Sequence, residues 1–415
     1  MKKILLLIPL CLIVSCIHNE VTLPEDNQVN AKIPIDEALS TLTQALSIIH
    51  PQTKSGDSAI IEEILTVSKK TIVDDALDED LAYVVNFSNN QGFALLAADR
   101  NLPDPIIAIL ENGTMDQQMK IHYAPQTKSG SDQDTISAFI QSLLNNYILY
   151  EGGGGNGDDD EEHPDDEPED PGDPWYPGPG SDWTVTSSVI PLVPLLWGQG
   201  YPFNERYPIN SGTIHQSAGC VPIAVSMILA YHQYPDTLNV NWTLVNNVLR
   251  VDQNNGNVNN GYSGFDDVAD LVYYVGQNCD MIYLTGVNQT FAWPEDAKDF
   301  LYSIGFTNAT NHLSYDLDLI SDMLEDEKPV FIASISGLFQ GHAWIIDGMI
   351  RLQNGSATRN LLHCNMGWYG QANGYYASKV FRSDRQISAF SNYGDQAPDN
   401  NHTFNYHFPF RIITY

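Results

Sequence analysis

Ser217-Ala218-Gly219-Cys220-Val221-Pro222-Ile223-Ala224-Val225-Ser226-Met227-Ile228-Leu229-Ala230-Tyr231 is the stretch on which the reading of this chain turns. Val221, Ile223, Ala224, Met227, Ile228 and Tyr231 recur at helical spacing. Pro222 suits a first helical turn, and Pro235 lies beyond the end. The spacing predicts a helix that begins at Cys220, approached over the small residues Ser217, Ala218 and Gly219. A thiol at that position meets the positive end of the helix macrodipole, which favours the thiolate. Taken alone, a cysteine in so apolar a run reads first as a small buried hydrophobe. What surrounds it in the chain decides between the two.

A thiolate nucleophile needs a base. Val330-Phe331-Ile332-Ala333-Ser334-Ile335 reads as a buried strand, and Gly341-His342-Ala343-Trp344-Ile345-Ile346-Asp347-Gly348 as a second that opens with a histidine between small residues. Gly341 and Ala343 leave room beside the ring for a thiol or a substrate. A third strand, Leu361-Leu362-His363-Cys364-Asn365, ends in Met366-Gly367-Trp368. Asn365 is suited to fix the imidazole tautomer. Asp347 is a weaker choice, because its odd separation from His342 sends the two side chains to opposite faces of a strand. His363 reads as a satisfied structural histidine. Upstream, Trp197-Gly198-Gln199-Gly200 offers an amide for an oxyanion hole together with the Cys220 N–H.

These segments resemble the streptopain family of papain-like cysteine peptidases. The matching pieces are Trp197 to Asn204, Ala218 to Pro222 with Met227, Tyr231 to Pro235, Gly341 to Gly348 and His363 to Trp368. They stand in the family's order of Gln, Cys, His, Asn. The resemblance implies Gln199 as oxyanion donor, Cys220 as nucleophile, His342 as base and Asn365 as its orienter. It also implies an α+β, papain-like peptidase of two subdomains, one helical and one an antiparallel sheet. Gly341, Trp368 and Tyr369 are candidates to line the cleft. Met366 stands where the family often has Trp, and Tyr369 where Gly is common. Tyr83 to Phe87 with Gln91 to Asp99 resembles the family's inhibitory propeptide, a second, small α+β domain.

The rest of the chain fits that organisation. Of 415 residues, 43% are hydrophobic, enough for a sizeable core. The net charge of −33 excludes the basic footprint of a nucleic-acid binder and disfavours docking on anionic lipid. Met1-Lys2-Lys3, the apolar run Ile4–Val14 and Ser15-Cys16 read as a lipoprotein signal peptide, residues 1–15, with Cys16 the lipidated residue. Residues 16–33 read as a tether and 34–150 as the propeptide domain. Within the latter, Asp36 is expected to cap a helix, and residues 134–150 to form another with Ile136, Phe139, Ile140, Leu143 and Leu144 on one face. Residues 151–182 read as a disordered linker, since 151–180 hold twelve acids and no Lys or Arg. Residues 183–415 are the peptidase domain. Cys279 and Cys364 are expected as buried thiols. No zinc spacing appears, and neither metal nor cofactor is expected.

The sequence therefore predicts an exported cysteine endopeptidase made as a zymogen. Its partners are protein or peptide substrates and its own propeptide, with membrane contact only through a lipid at Cys16. The alternative is an inactive surface lipoprotein that binds peptides or host proteins on a peptidase fold.

Overall fold

The computed structural model describes residues 32–49, 60–72, 79–123, 130–152, 183–212, 214–238, 240–250, 264–284, 289–337, 340–381, 387–390, 403–406 and 410–415. The signal peptide with Cys16, all but the end of the tether, and residues 153–182 of the linker lie outside them.

Helix α1 (Ile35–Ile49) buries Ala38, Thr41, Leu42 and Ala45, one stripe at helical spacing. It begins at Ile35, so Asp36 lies inside the first turn rather than at the cap. A carboxylate there still faces the positive end of the dipole. The tether's end is also structured: the Ile33 N–H donates to Ala98 O at 2.8 Å, and Tyr83 Oη donates to Ile33 O at 2.8 Å. Strands β1 (Ile61–Ser68), β2 (Asp80–Phe87), β3 (Phe93–Ala97) and β4 (Ile106–Leu110) form an antiparallel meander. Asn89 and Asn90 turn the β2–β3 connection with φ of 59° and 55°. Asparagine tolerates the left-handed region better than most residues. Helix α2 (Gly130–Gly152) completes this N-terminal unit and includes the first two residues assigned to the linker.

Beyond residue 183 come β5 (Thr184–Val189), α3 (Cys220–His232), α4 (Trp242–Asn247), α5 (Phe265–Asn278), α6 (Pro294–Ser303), β6 (Thr310–His312), α7 (Leu317–Glu325), β7 (Val330–Gly337), β8 (Gln340–Asn354), β9 (Ala357–Asn365), β10 (Gly374–Ala377) and β11 (Arg411–Thr414). The architecture is α+β. One eleven-stranded sheet runs β1-β2-β3-β4-β10-β9-β8-β7-β11-β6, with β5 paired to β8. The two units share it, because β4 pairs antiparallel with β10, Ala108 opposite Tyr376.

Alternation along the strands separates two cores. Ala343 and Ile345 of β8, with Phe331 and Ala333 of β7, face the helices α3, α5 and α6. Trp344 and Ile346, with Val330 and Ile332, face the core that holds Phe139, Ile140 and Leu144 of α2. Helix α3 is buried from Val221 through Ala230, which explains apolar residues on every face of it. Among the described residues no helix is long and apolar enough to cross a membrane, and no group of His, Cys, Asp or Glu would hold a metal ion.

Candidate active site

Cys220 is the first residue of α3. Gly219 before it has φ of 87°, and a β-carbon there would strike Met281 and Thr290. Only glycine fits both the left-handed backbone and the close approach. Cys220 keeps part of its surface open, yet burial pushes its pKa up, against the N–H groups of Ala343, Val221 and Cys220, which favour the thiolate. The expectation of a lowered pKa is thus corrected: in this packing desolvation outweighs the backbone N–H groups at the helix start. The Ala343 N–H nevertheless ties the thiol to the strand that carries His342.

His342 lies at the mouth of β8 and is 7% exposed. It shares its face of the sheet with Trp344. Its ring stacks on Trp368 with centroids 3.9 Å apart and planes 14° apart, and on Trp344 at 5.6 Å. Phe139 of α2 meets it edge-on at 5.6 Å and also touches Trp368 at 5.7 Å. Nε2 pairs with Met366 O at 3.0 Å. Burial drives the His342 pKa down to about 3, with the Met366 carbonyl opposing it. The ring is therefore neutral near pH 7.

Asn365 is close in the fold but turned to other partners. Nδ2 donates to Leu195 O at 2.7 Å, and Oδ1 accepts from the Gly367 N–H at 3.3 Å. No hydrogen bond joins His342 to Asn365 or to Cys220 among these described residues. The reason is the rotation of the imidazole toward the Met366 carbonyl, beneath Phe139 and Trp368. Gln199 does sit beside the loop that leads into Cys220. Its carbonyl accepts from the Ala218 N–H at 2.8 Å, and its Oε1 accepts from Ser217 Oγ at 3.2 Å. Of the cleft candidates, Gly341 is exposed, Trp368 covers the imidazole, and Tyr369 packs on the Gln199 segment.

Asp347 does not reach His342; it serves the other histidine. His363 Nδ1 pairs with Asp347 Oδ1 at 2.5 Å and Nε2 with Glu111 Oε1 at 3.2 Å. Asp347 Oδ2 also accepts from the Val193 N–H at 3.0 Å. Burial lowers the His363 pKa, but the Asp347 and Glu111 carboxylates win and raise it to about 10. Cys279 and Cys364 are free, buried thiols. Sequence reasoning placed Phe139 on the apolar face of a helix without seeing its target, and missed Glu111 altogether. Nothing local to either residue names a partner more than 200 positions away.

Residues 197–376 match the family described as Peptidase C10. Streptopain of Streptococcus pyogenes is 24% identical over 228 residues, 46% of this chain and 55% of that protein. The thiol protease/hemagglutinin PrtT of Porphyromonas gingivalis is 24% identical over 231 residues, 46% of this chain and 25% of that protein. The chain thus spans about half the length of streptopain and a quarter of PrtT. A fragment of Prevotella intermedia prointerpain A superposes with a TM-score of 0.49 at 17% identity, over 85% of this chain and 98% of that one.

Proposed function

We propose, from the Peptidase C10 match over residues 197–376, that this chain is the zymogen of an exported cysteine endopeptidase. Cys220 is the nucleophile, His342 the base, Asn365 its orienter, and Gln199 with the Cys220 N–H the oxyanion donors. Residues 34–150 act as the inhibitory propeptide, and Cys16 carries the lipid. The observation that carries this reading is the Ala343 N–H on the Cys220 thiol, next to a histidine that Phe139 of the N-terminal unit covers.

Once the N-terminal unit leaves, Phe139 leaves with it. His342 then turns from the Met366 carbonyl toward Cys220, and Asn365 takes its other ring nitrogen. The imidazole removes the thiol proton. The thiolate attacks the scissile carbonyl, the C–S bond forms, and the oxyanion is held by Gln199 and the Cys220 N–H. The imidazolium protonates the departing amine as the C–N bond breaks. Water, deprotonated by His342, then cleaves the thioester and returns the thiol.

A thiol-directed active-site probe on the full chain and on the chain after limited proteolysis tests the reading. Selective labelling of Cys220 is expected only after proteolysis, with labelling and peptide hydrolysis both abolished in Cys220→Ala. The neutral His342 without a bond to Cys220 is also what an inactive peptide-binding protein would show. A processed chain that never labels selectively at Cys220 would establish that alternative instead.

A further inference from the structure

Tyr369 occupies the loop after Trp368 with φ of 57°. A non-glycine residue in the left-handed region is strained and persists only where its surroundings hold it there. Backbone and side chain together supply that hold. The Tyr369 N–H donates to Trp197 O at 2.8 Å. Its ring lies where a β-carbon of Gly198 would be, so residue 198 must be glycine. Its hydroxyl accepts from the Gly200 N–H at 2.7 Å and faces Tyr201 O at 3.4 Å. Phe203 braces the ring at 6.0 Å. Tyr369 therefore grips residues 197, 198, 200 and 201, both sides of Gln199, while leaving Gln199 itself to Ser217 and Ala218.

We propose that Tyr369 is a positioning residue for the oxyanion donor: it fixes the backbone on either side of Gln199 so that the Gln199 amide is held ready before substrate arrives. This rests on the reading of Gln199 given under Proposed function. An oxyanion hole works because its donors need no reorganisation when charge develops. With the Oε1 end engaged by Ser217, Nε2 is the end of the amide left to face an oxyanion. A donor on a chain segment pinned at four neighbouring residues meets the requirement of preorganisation, and a donor on a loose Gly198–Gly200 segment would not.

The test uses the processed enzyme and a peptide substrate. Tyr369→Phe removes one hydroxyl and is expected to lower kcat about five- to tenfold, the worth of one hydrogen bond, with KM within about twofold. Tyr369→Gly, which frees the backbone strain, is expected to lower kcat at least as far. Gln199→Ala is expected to cost about 10²–10³ in kcat. In the Gln199→Ala background, Tyr369→Phe should add nothing beyond about twofold, because the group it positions is gone. A Tyr369→Phe enzyme with wild-type kcat, one altered only in KM, or one whose loss multiplies fully in the Gln199→Ala background overturns the inference. A Gln199→Ala enzyme with unchanged kcat overturns the oxyanion assignment and the inference with it, which separates the two failures.

Discussion

Two buried histidines on adjacent strands have opposite fates. His342 on β8 and His363 on β9 are 7% and 3% exposed. His342 is enclosed by Trp368, Trp344 and Phe139, with one backbone carbonyl for a partner, and its pKa falls to about 3. His363 is enclosed as thoroughly, yet Asp347 and Glu111 raise its pKa to about 10. Desolvation acts alike on both, and only the carboxylates differ. Burial therefore says nothing by itself about which histidine carries a proton. In both places the N-terminal unit supplies part of the enclosure: an apolar ring, Phe139, on one, and a carboxylate, Glu111, on the other. The same unit that strips the candidate base of its proton adds a charge partner to the structural histidine.

The largest blow to this contrast is expected from Asp347→Asn. It leaves the His363 charge without its fully buried partner, at about 3–5 kcal/mol. Chemical denaturation of the full chain measures it. Adding His363→Gln should recover much of the loss, and a double variant as unstable as the single one refutes the ion-pair account.

Phe139→Ala acts on the other histidine. Truncating this buried aromatic, which packs on His342, Trp344 and Trp368, is expected to cost about 3–5 kcal/mol. The His342 pKa should rise from about 3 toward 6.5, followed by histidine NMR titration, and Cys220 should label faster. An unmoved His342 titration would mean that Phe139 does not enforce its neutrality.

Acidity and alkalinity should loosen the covered chain for different reasons. The depressed His342 contributes stability that is complete above its unfolded value of 6.5 and lost as pH falls toward 3. The raised His363 contributes stability that is complete below 6.5 and lost as pH climbs toward 10. The Tm of the full chain is thus expected to peak near neutrality, and Phe139→Ala should shrink the acid limb only. A Tm that rises steadily from pH 4 to pH 9 contradicts the assignment. The smallest effect is Glu111→Gln, at most about 1 kcal/mol, because that carboxylate is 37% exposed and screened by water. It should shift the alkaline limb slightly toward lower pH and leave the acid limb unchanged.

Much of the architecture was legible before any coordinates. The helical spacing of Val221, Ile223, Ala224, Met227 and Ile228 announced a helix opened by Cys220; that it is buried from Val221 through Ala230 came only with the fold. The strand-like runs at 330–335 and 341–348 became β7 and β8, with His342 at the mouth of the latter. The parity argument that kept Asp347 away from His342 agrees with where the two side chains lie. Illegible were the continuation of the N-terminal meander into the second unit through β10, and the insertion of β11 from the chain's end between β7 and β6. Strand partners far apart in sequence leave no local pattern, because a ladder is specified by shape and burial across the whole sheet.

Sequence alone determined which residues are available for chemistry: a thiol at a helix start, a histidine between small neighbours on a strand, an Asn and a Gln in a fixed order. Residue type and periodicity suffice for that, since both are local. Only the tertiary structure decided their state. Cys220 is a thiol rather than a thiolate, and His342 is neutral and turned to Met366, because protonation and rotamer follow from desolvation and from partners such as Phe139 that the fold brings in from a distance.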